Sequence, residues 1–214
     1  MESDLRFFGA IKDDYEITEF TSVGQYLYKI AKDPSVIMFL ESGASTGGSS
    51  RCIASGLKET NGHLYTFEAS IERFLKLKEN VNGLPVTGFN ECSVITNDIS
   101  FYYQQATAEF LPSQGNFESI ISAINFDACF LDSINLCQAN ELSIVVKARI
   151  KNIIMHEPDH KCPGYDSFLL QNGYQLIRAS RDEIDRFSGR NESSHCKPLW
   201  VHYLWTGFPQ SGCL

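Results

Sequence analysis

The stretch VIMFLESGASTGGSS, residues 36–50, joins an apolar run to an acid, a loop of glycines and hydroxyl side chains, and a helix start. A continuous apolar run of this length is typical of a strand that is buried on both faces of a sheet. Gly43 lets the backbone pass close to a neighbour or a ligand. The stretch therefore predicts a buried strand over 36–41, a glycine-bearing loop that faces a ligand, and a helix near 47–60.

The rest of the chain alternates strand-like and helix-like segments. Short apolar runs between turn residues predict strands, and apolar residues at helical spacing predict helices. The predicted strands are 36–41, 63–68, 86–92, 126–132, 152–157, 174–179 and 199–206. The predicted helices are 17–32, 47–60, 70–80 with Ser70 as N-cap, 136–149 and 164–172.

This alternation predicts an α/β, Rossmann-like fold with a seven-stranded, mostly parallel sheet and helices on both faces. No helix separates the last two predicted strands, so we expect them to pair antiparallel at one edge of the sheet. A chain of 214 residues with 43% hydrophobic content can bury one core, so we expect a single domain over 1–214. Residues 1–33 would form an N-terminal helical extension, and 94–125 would form an insertion that is a candidate lid.

Composition narrows the classes of function. The formal net charge of −8 would repel a phosphate backbone, so we expect no nucleic-acid partner. No apolar run reaches the roughly 18 residues of a membrane span, and the first residues carry acids where a signal peptide carries positive charge. We therefore expect a cytoplasmic protein with no membrane partner. The seven cysteines form no CxxC pair, which argues against a disulfide framework and a structural zinc site.

Polar and acidic residues follow the predicted strands. The carboxyl ends of parallel strands meet at one edge of a sheet, and ligands bind in the crevice there. The first loop has neither the Lys-Ser or Lys-Thr of a P-loop nor the GxGxxG spacing of dinucleotide binders. Glu68 ends the second strand, where an acid can accept hydrogen bonds from ribose hydroxyls. An acid on the sugar without a basic clamp for phosphate indicates a nucleoside-type ligand. The strand-end residues are Glu41, Gly43, Glu68, Glu91, Cys92, Ser93, Asp132, His156 and Glu157.

The pattern Glu41-x-Gly43-x-x-x-Gly47-Gly48-Ser49-Ser50, with Glu68 closing the next strand, resembles the class I S-adenosylmethionine-dependent methyltransferases. It is most similar to the small-molecule O-methyltransferase branch that includes macrocin O-methyltransferase and cephalosporin-hydroxylase-type proteins, over residues 20–206. The resemblance implies that the first loop flanks the methionine part of the cofactor and that the second acid holds the ribose. It places the end of the third strand beside the adenine. The implied cofactor-binding residues are Glu41, Gly43, Gly47, Ser49, Glu68, Glu91, Cys92 and Ser93.

The ends of the fourth and fifth strands depart from this family pattern. Asp132 is followed by Ser-Ile-Asn where many relatives have Gly and then His or Tyr, and His156 is followed by Glu-Pro-Asp-His. We expect Asp132 and His156 to be catalytic, with His156 or His160 as a general base. Relatives that bind a divalent cation use acids at these two strand ends. The candidate Mg²⁺ ligands are Asp132, Glu157 and Asp159.

These observations predict an enzyme that transfers a methyl group from S-adenosylmethionine to a small-molecule acceptor, with an oxygen as the nucleophile. The alternative is a catalytically inactive protein that uses the same fold as a binding module or scaffold, since a fold does not establish an activity. A nicotinamide-dependent oxidoreductase would fit the sheet but not the spacing of the first loop. An edge strand and an N-terminal helix are compatible with a homodimer.

Overall fold

The computed structural model describes residues 17–19, 21–90, 116–133, 135–156, 161–180 and 202–207. The helices are α1 (Ser22–Ala31), α2 (Gly48–Thr60), α3 (Ile71–Asn80), α4 (Asn116–Ala123), α5 (Asn135–Lys147) and α6 (Tyr165–Gln171). The strands are β1 (Met38–Ser42), β2 (His63–Phe67), β3 (Val86–Phe89), β4 (Ala128–Leu131), β5 (Asn152–His156), β6 (Tyr174–Ser180) and β7 (His202–Gly207). Within these ranges no helix has the length and apolar character that a bilayer crossing requires.

The seven strands form one sheet in the order β3-β2-β1-β4-β5-β7-β6. Strands β1 to β5 pair in parallel, which confirms the predicted α/β fold with a mostly parallel sheet. The last two strands were predicted to pair antiparallel at one edge of the sheet, and this is confirmed. Strand β7 lies between β5 and β6 and pairs antiparallel with both, while β6 forms the edge. After β5 the chain passes through α6 and forms β6 one strand position away from β5. Strand β7 then occupies the position between them.

Helices cover the sheet on both faces because side chains alternate along each strand. Phe39 and Phe130 pack with α1 and α2 in one buried cluster. Their neighbours Leu40 and Leu131 point to the other face and pack with α4, α5 and α6. Each of these four side chains is buried. The central strands β1 and β4 are therefore buried on both faces, as their apolar runs predicted.

Helix α1 begins later than the predicted helix over 17–32. Thr21 is its N-cap: the Thr21 Oγ1 atom accepts a hydrogen bond from the Gly24 amide at 3.1 Å. The same hydroxyl donates to the Thr18 carbonyl oxygen at 2.7 Å, which folds the preceding residues into a tight turn. The first residues of the predicted helix are therefore a turn. The prediction for α3 is confirmed, because the Ser70 hydroxyl caps it by accepting from the Arg73 amide.

The order of the strands places a topological switch point between β1 and β4. From β1 the chain continues to β2 on one side, and from β4 it continues to β5 on the other. Open α/β sheets bind ligands at such a point, in the crevice beyond the carboxyl ends of the strands. Gly43 and Asp132 are the first residues after β1 and β4, so they mark the crevice in this fold.

Candidate active site

Residues 43–47, here the glycine loop, connect β1 to α2. The amides of Gly43 and Ala44 both donate to the carbonyl oxygen of Phe67, each at 3.1 Å, which ties the loop to the end of β2. Gly43 has a φ of +87°, and a Cβ atom there would lie 2.4 Å from the Asp132 carbonyl oxygen. Only glycine fits this position, because the loops after β1 and β4 touch there.

Glu68 joins the glycine loop to the start of α3. Its Oε2 atom accepts a hydrogen bond from the Ser45 amide at 2.7 Å, and its Oε1 atom accepts from the Ser70 amide at 2.8 Å. Burial raises the pKa of the Glu68 carboxyl, although these two amide bonds act in the opposite direction. A carboxylate oxygen can accept more than one hydrogen bond. The carboxylate can therefore hold the loop and still accept a ligand hydroxyl.

Glu41 lies beneath the glycine loop and is fully buried. Its Oε1 atom accepts from the Ser49 hydroxyl at 2.6 Å, and its Oε2 atom accepts from the hydroxyls of Ser50 and Thr66. The sequence pattern placed Glu41 and Ser49 beside the cofactor. The structure instead pairs their side chains with each other, so that Glu41 fastens the first turn of α2 to β1 and β2. Any contact of Ser49 with a ligand would therefore be made by its backbone amide or by its hydroxyl as an acceptor.

Replacement of Glu41 by Gln is expected to change how stability varies with pH. Burial raises the pKa of Glu41 above the 4.5 of an exposed glutamate, and the three hydroxyl donors oppose this. A raised folded-state pKa means that the stabilising contribution is present below about pH 4.5 and is lost as the pH rises through the folded-state pKa. Urea unfolding should therefore show wild type gaining stability relative to Glu41→Gln at pH 4 compared with pH 7.

Glu79→Gln serves as the control for Glu41→Gln. Glu79 is exposed, so this variant makes the same chemical change without a buried carboxyl, and its stability relative to wild type should not show the difference between pH 4 and pH 7. A constant difference between wild type and Glu41→Gln across pH 4 to 7 would contradict the assignment of a raised pKa. The Gln variant keeps an oxygen that accepts from the hydroxyls, so folding is expected to survive the change.

Gly47 packs against α3. It is the N-cap of α2 with a φ of +97°, and a Cβ atom there would lie 2.8 Å from Leu77 Cδ1. The Asn80 side chain donates to the Thr46 carbonyl oxygen at 2.8 Å, which fixes the same side of the loop. Gly47 was predicted to bind cofactor, and its contacts here are with α3. As an N-cap it supplies no side-chain acceptor to the first amides of α2, and such amides attract an anion.

Asp132, His156 and Lys161 form an ion cluster at the carboxyl ends of β4 and β5. The Oδ1 atom of Asp132 lies 2.7 Å from Nδ1 of His156 and 2.5 Å from Nζ of Lys161. The His156 side chain is 3% exposed, whereas Asp132 and Lys161 are 17% and 15% exposed. Burial alone would raise the pKa of Asp132, but the charges of His156 and Lys161 hold it below its usual range. Asp132 and Lys161 are therefore the charged groups of the cluster that a ligand can reach.

Two buried side chains of α5 support this cluster. Gln138 donates through Nε2 to the Leu131 carbonyl oxygen at 2.6 Å and to the His156 carbonyl oxygen at 3.0 Å, bridging the ends of β4 and β5. Glu141 accepts a hydrogen bond at 2.6 Å from the hydroxyl of Ser42 and another at 2.6 Å from that of Ser133. Glu141 thereby links the end of β1 to the loop after β4.

Three residues of the site were not predicted from the sequence: Gln138, Glu141 and Lys161. The signal for the first two was their spacing: polar residues three apart lie on one face of a helix. Lys161 follows the end of β5 by five positions, in a segment where Glu157, Asp159 and His160 were considered but the lysine was not.

Several predicted site residues lie outside the described part of the chain. They are Glu91, Cys92 and Ser93, predicted beside the adenine, the candidate metal ligands Glu157 and Asp159, and His160. The candidate lid over 94–125 is described only from residue 116 onward. Among the described residues, no three acidic, histidine or cysteine side chains converge on a point where a metal ion could sit. At Asp132 the nearest positive charge is that of Lys161, which would oppose a second cation.

No family model and no curated protein matches this chain. Three solved structures illustrate its likeness to known folds. A candidate O-methyltransferase from Klebsiella pneumoniae is 17% identical, with 94% of this chain and 84% of that chain covered and a TM-score of 0.55. The O-methyltransferase TomG from Streptomyces achromogenes, in complex with S-adenosylmethionine, is 14% identical, with coverages of 87% and 79% and a TM-score of 0.53. A candidate rRNA methylase from Clostridium thermocellum is 10% identical, with coverages of 89% and 98% and a TM-score of 0.56.

These likenesses establish the fold of the S-adenosylmethionine-dependent methyltransferases for this chain, in agreement with the resemblance in its glycine loop. The neighbours differ in the acceptors that their descriptions name, since one is described as acting on rRNA and others as O-methyltransferases. At these identities the likeness shows the fold alone, and a fold does not establish an activity.

Proposed function

We propose that this protein transfers a methyl group from S-adenosylmethionine to an oxygen atom of a small-molecule acceptor. The observation that carries the proposal is the contact between Gly43 and the Asp132 backbone at the switch point. This contact brings the glycine loop, which would flank the donor, against the cluster of Asp132, His156 and Lys161, which would face the acceptor. Donor and acceptor positions are then adjacent, as a direct transfer requires.

The residues at the carboxyl ends of the strands fit the donor. When bound, S-adenosylmethionine supplies an electrophilic methyl group on a sulfonium. In our proposal the Glu68 carboxylate accepts hydrogen bonds from the ribose hydroxyls, and the first amides of α2 receive the carboxylate of the amino-acid end. The adenine role of Glu91, Cys92 and Ser93 remains a prediction from the resemblance.

The ion cluster would orient the acceptor and stabilise its charge. Both contacts of Asp132 fall on Oδ1, so Oδ2 is the atom that we assign to the acceptor hydroxyl. Because its pKa is lowered, the Asp132 carboxylate is a weak base. It would therefore orient the acceptor hydroxyl, and the hydroxyl proton would pass on to solvent. The Lys161 ammonium would stabilise the negative charge that develops on the oxygen. His156, buried behind Asp132, would fix the position of the carboxylate.

We place the acceptor among small molecules because the net charge of −8 opposes binding of a polyanion. Membership of the macrocin and cephalosporin-hydroxylase-type branch, cytoplasmic location and homodimerisation stay predictions from the sequence. A catalytically inactive scaffold is the alternative that the experiments below distinguish.

Calorimetric titration with S-adenosylmethionine and S-adenosylhomocysteine, with and without Mg²⁺, tests the proposal. Micromolar binding of both ligands is expected, and it would justify a screen of hydroxylated small molecules as acceptors. Binding that strengthens with Mg²⁺ would restore the predicted metal site at Asp132. No binding of either ligand in either buffer would overturn the methyltransferase proposal. Binding without turnover across a broad acceptor screen would favour the scaffold.

Replacement of Glu68 by Ala is expected to weaken S-adenosylhomocysteine binding by more than tenfold, equivalent to about 1.4 kcal/mol or more. The variant loses the ribose contact and also releases the Ser45 and Ser70 amides. Glu68→Gln separates these effects, because its one remaining oxygen can still accept from a single amide. Calorimetry of both variants, with the exposed Glu72→Ala as control, measures the change. Unchanged affinity in Glu68→Ala would remove Glu68 from the site.

A further inference from the structure

Glu19 differs from the other buried acids in the described part of the chain. It lies in the turn before α1 and is 2% exposed, yet within the described ranges neither of its carboxylate oxygens has a hydrogen-bond partner. The buried carboxylates of Glu41, Glu68 and Glu141 each accept hydrogen bonds on both oxygens. A buried carboxylate without donors is unfavourable for stability, so its retention calls for an explanation.

Glu19 lies at the same edge of the sheet as the glycine loop. Helices α1 and α2 flank β1 in the chain and pack side by side, so both begin at the carboxyl edge. A Cβ atom on Gly24 would lie 1.9 Å from the Thr18 carbonyl oxygen and 3.0 Å from the Cys52 sulfur. The turn before α1 therefore lies close to the first turns of α2. Burial raises the pKa of Glu19, and its own backbone amide and the nearby charge of Arg51 on α2 act against that rise.

The turn that carries Glu19 is rigidly held. The Thr21 amide donates to the Thr18 carbonyl oxygen at 3.0 Å, and the Thr18 amide donates back to the Thr21 hydroxyl at 3.2 Å. The Thr21 hydroxyl also caps α1. Both residues that flank this turn are thus fixed by hydrogen bonds, whereas the carboxylate between them has none from the described residues. Such pre-organisation of a carboxylate that lacks hydrogen-bond donors suits a binding position.

We propose that Glu19 binds the α-ammonium group at the amino-acid end of the ligand that occupies the glycine loop. This inference rests on the proposed function. The amino-acid end is a zwitterion, and its carboxylate would meet the first amides of α2. Glu19, seated beside the first turns of α2, supplies the opposite charge for the ammonium. The positive ligand group would then provide the donors that the buried carboxylate lacks.

Calorimetry with two ligands and two proteins tests this assignment. The ligands are S-adenosylhomocysteine and its analogue in which hydrogen replaces the α-amino group, and the proteins are wild type and Glu19→Gln. Wild type is expected to prefer S-adenosylhomocysteine about tenfold or more, as suits a charge-assisted hydrogen bond. Glu19→Gln should lose that preference and bind the analogue as wild type does. The exposed Glu79→Gln variant should keep the wild-type preference.

A second measurement separates a binding role from a structural one. Without ligand, Glu19→Gln is expected to unfold at the same temperature as wild type or higher, because it removes a buried carboxylate that has no hydrogen-bond donors among the described residues. A lower unfolding temperature, or an equal loss of affinity for both ligands, would make Glu19 a structural residue and overturn the inference. Wild type that binds both ligands equally would also overturn it. Absence of any binding to wild type would remove the proposed function itself.

Discussion

Replacement of Gly43 by Ala should lower the free energy of unfolding by about 3 kcal/mol or more, because it combines backbone strain with overpacking. A side chain at a φ of +87° is strained, and its Cβ atom would lie 2.4 Å from the Asp132 carbonyl oxygen. That oxygen belongs to the backbone, so relief requires the loop after β1 or the loop after β4 to move. Urea unfolding at neutral pH measures the change.

Gly83 offers a matched control for the Gly43 variant. Its φ of +78° is close to that of Gly43, but a Cβ atom there would meet nothing within 4 Å. Gly83→Ala therefore carries the strain alone and should cost about 1 kcal/mol. The difference between the two variants isolates the contact between the loops. Equal losses of stability would show that the loops do not touch at the switch point. Any ligand bound at the glycine loop should bind more weakly to Gly43→Ala, since the loop must shift.

The elements of this fold could be predicted because their signals are local. The apolar runs at β1 and β4, the Ser70 cap of α3 and the helical periodicity of α2 each depend on neighbouring residues in the chain. The order of β6 and β7 could not be read in the same way. Whether the last strand lies at the edge or beside β5 depends on which hydrogen-bonding edge remains open after α6, and no nearby residue encodes that choice.

The contacts within the candidate site were also not predictable from neighbouring residues. A strand-end acid can be predicted to lie near the crevice, but its bonding partners are set by distant segments. Glu41 fits the family pattern, and yet both of its oxygens are taken by hydroxyls of the protein. Ser42 and Glu141 are 99 positions apart in the chain and share a hydrogen bond. The face of α5 that carries Glu141 could be predicted, but the residue it meets could not.

Replacement of Asp132 by Asn is expected to reduce methyl transfer about a hundredfold or more, in the range typical of groups that take part in proton transfer or orientation. The change keeps the shape of the side chain and removes the charge that faces both His156 and Lys161. Binding of S-adenosylhomocysteine should change little, because we assign the donor contacts to Glu68, Glu19 and α2. The loss should therefore be found in turnover with the acceptor at saturation.

The partners of Asp132 supply the decisive comparison. If Lys161 acts on the acceptor from its position beside Asp132, Lys161→Met should also lose turnover, and the double variant should lose little more than Asp132→Asn alone. Asp166→Asn, an exposed aspartate at the start of α6, should retain full activity. Turnover of Asp132→Asn within threefold of wild type would remove the cluster from the reaction. Strictly additive losses would show that the two residues act separately. Because His156 is almost fully buried behind the carboxylate, its effect on turnover should pass through Asp132 and should vanish in the Asn variant.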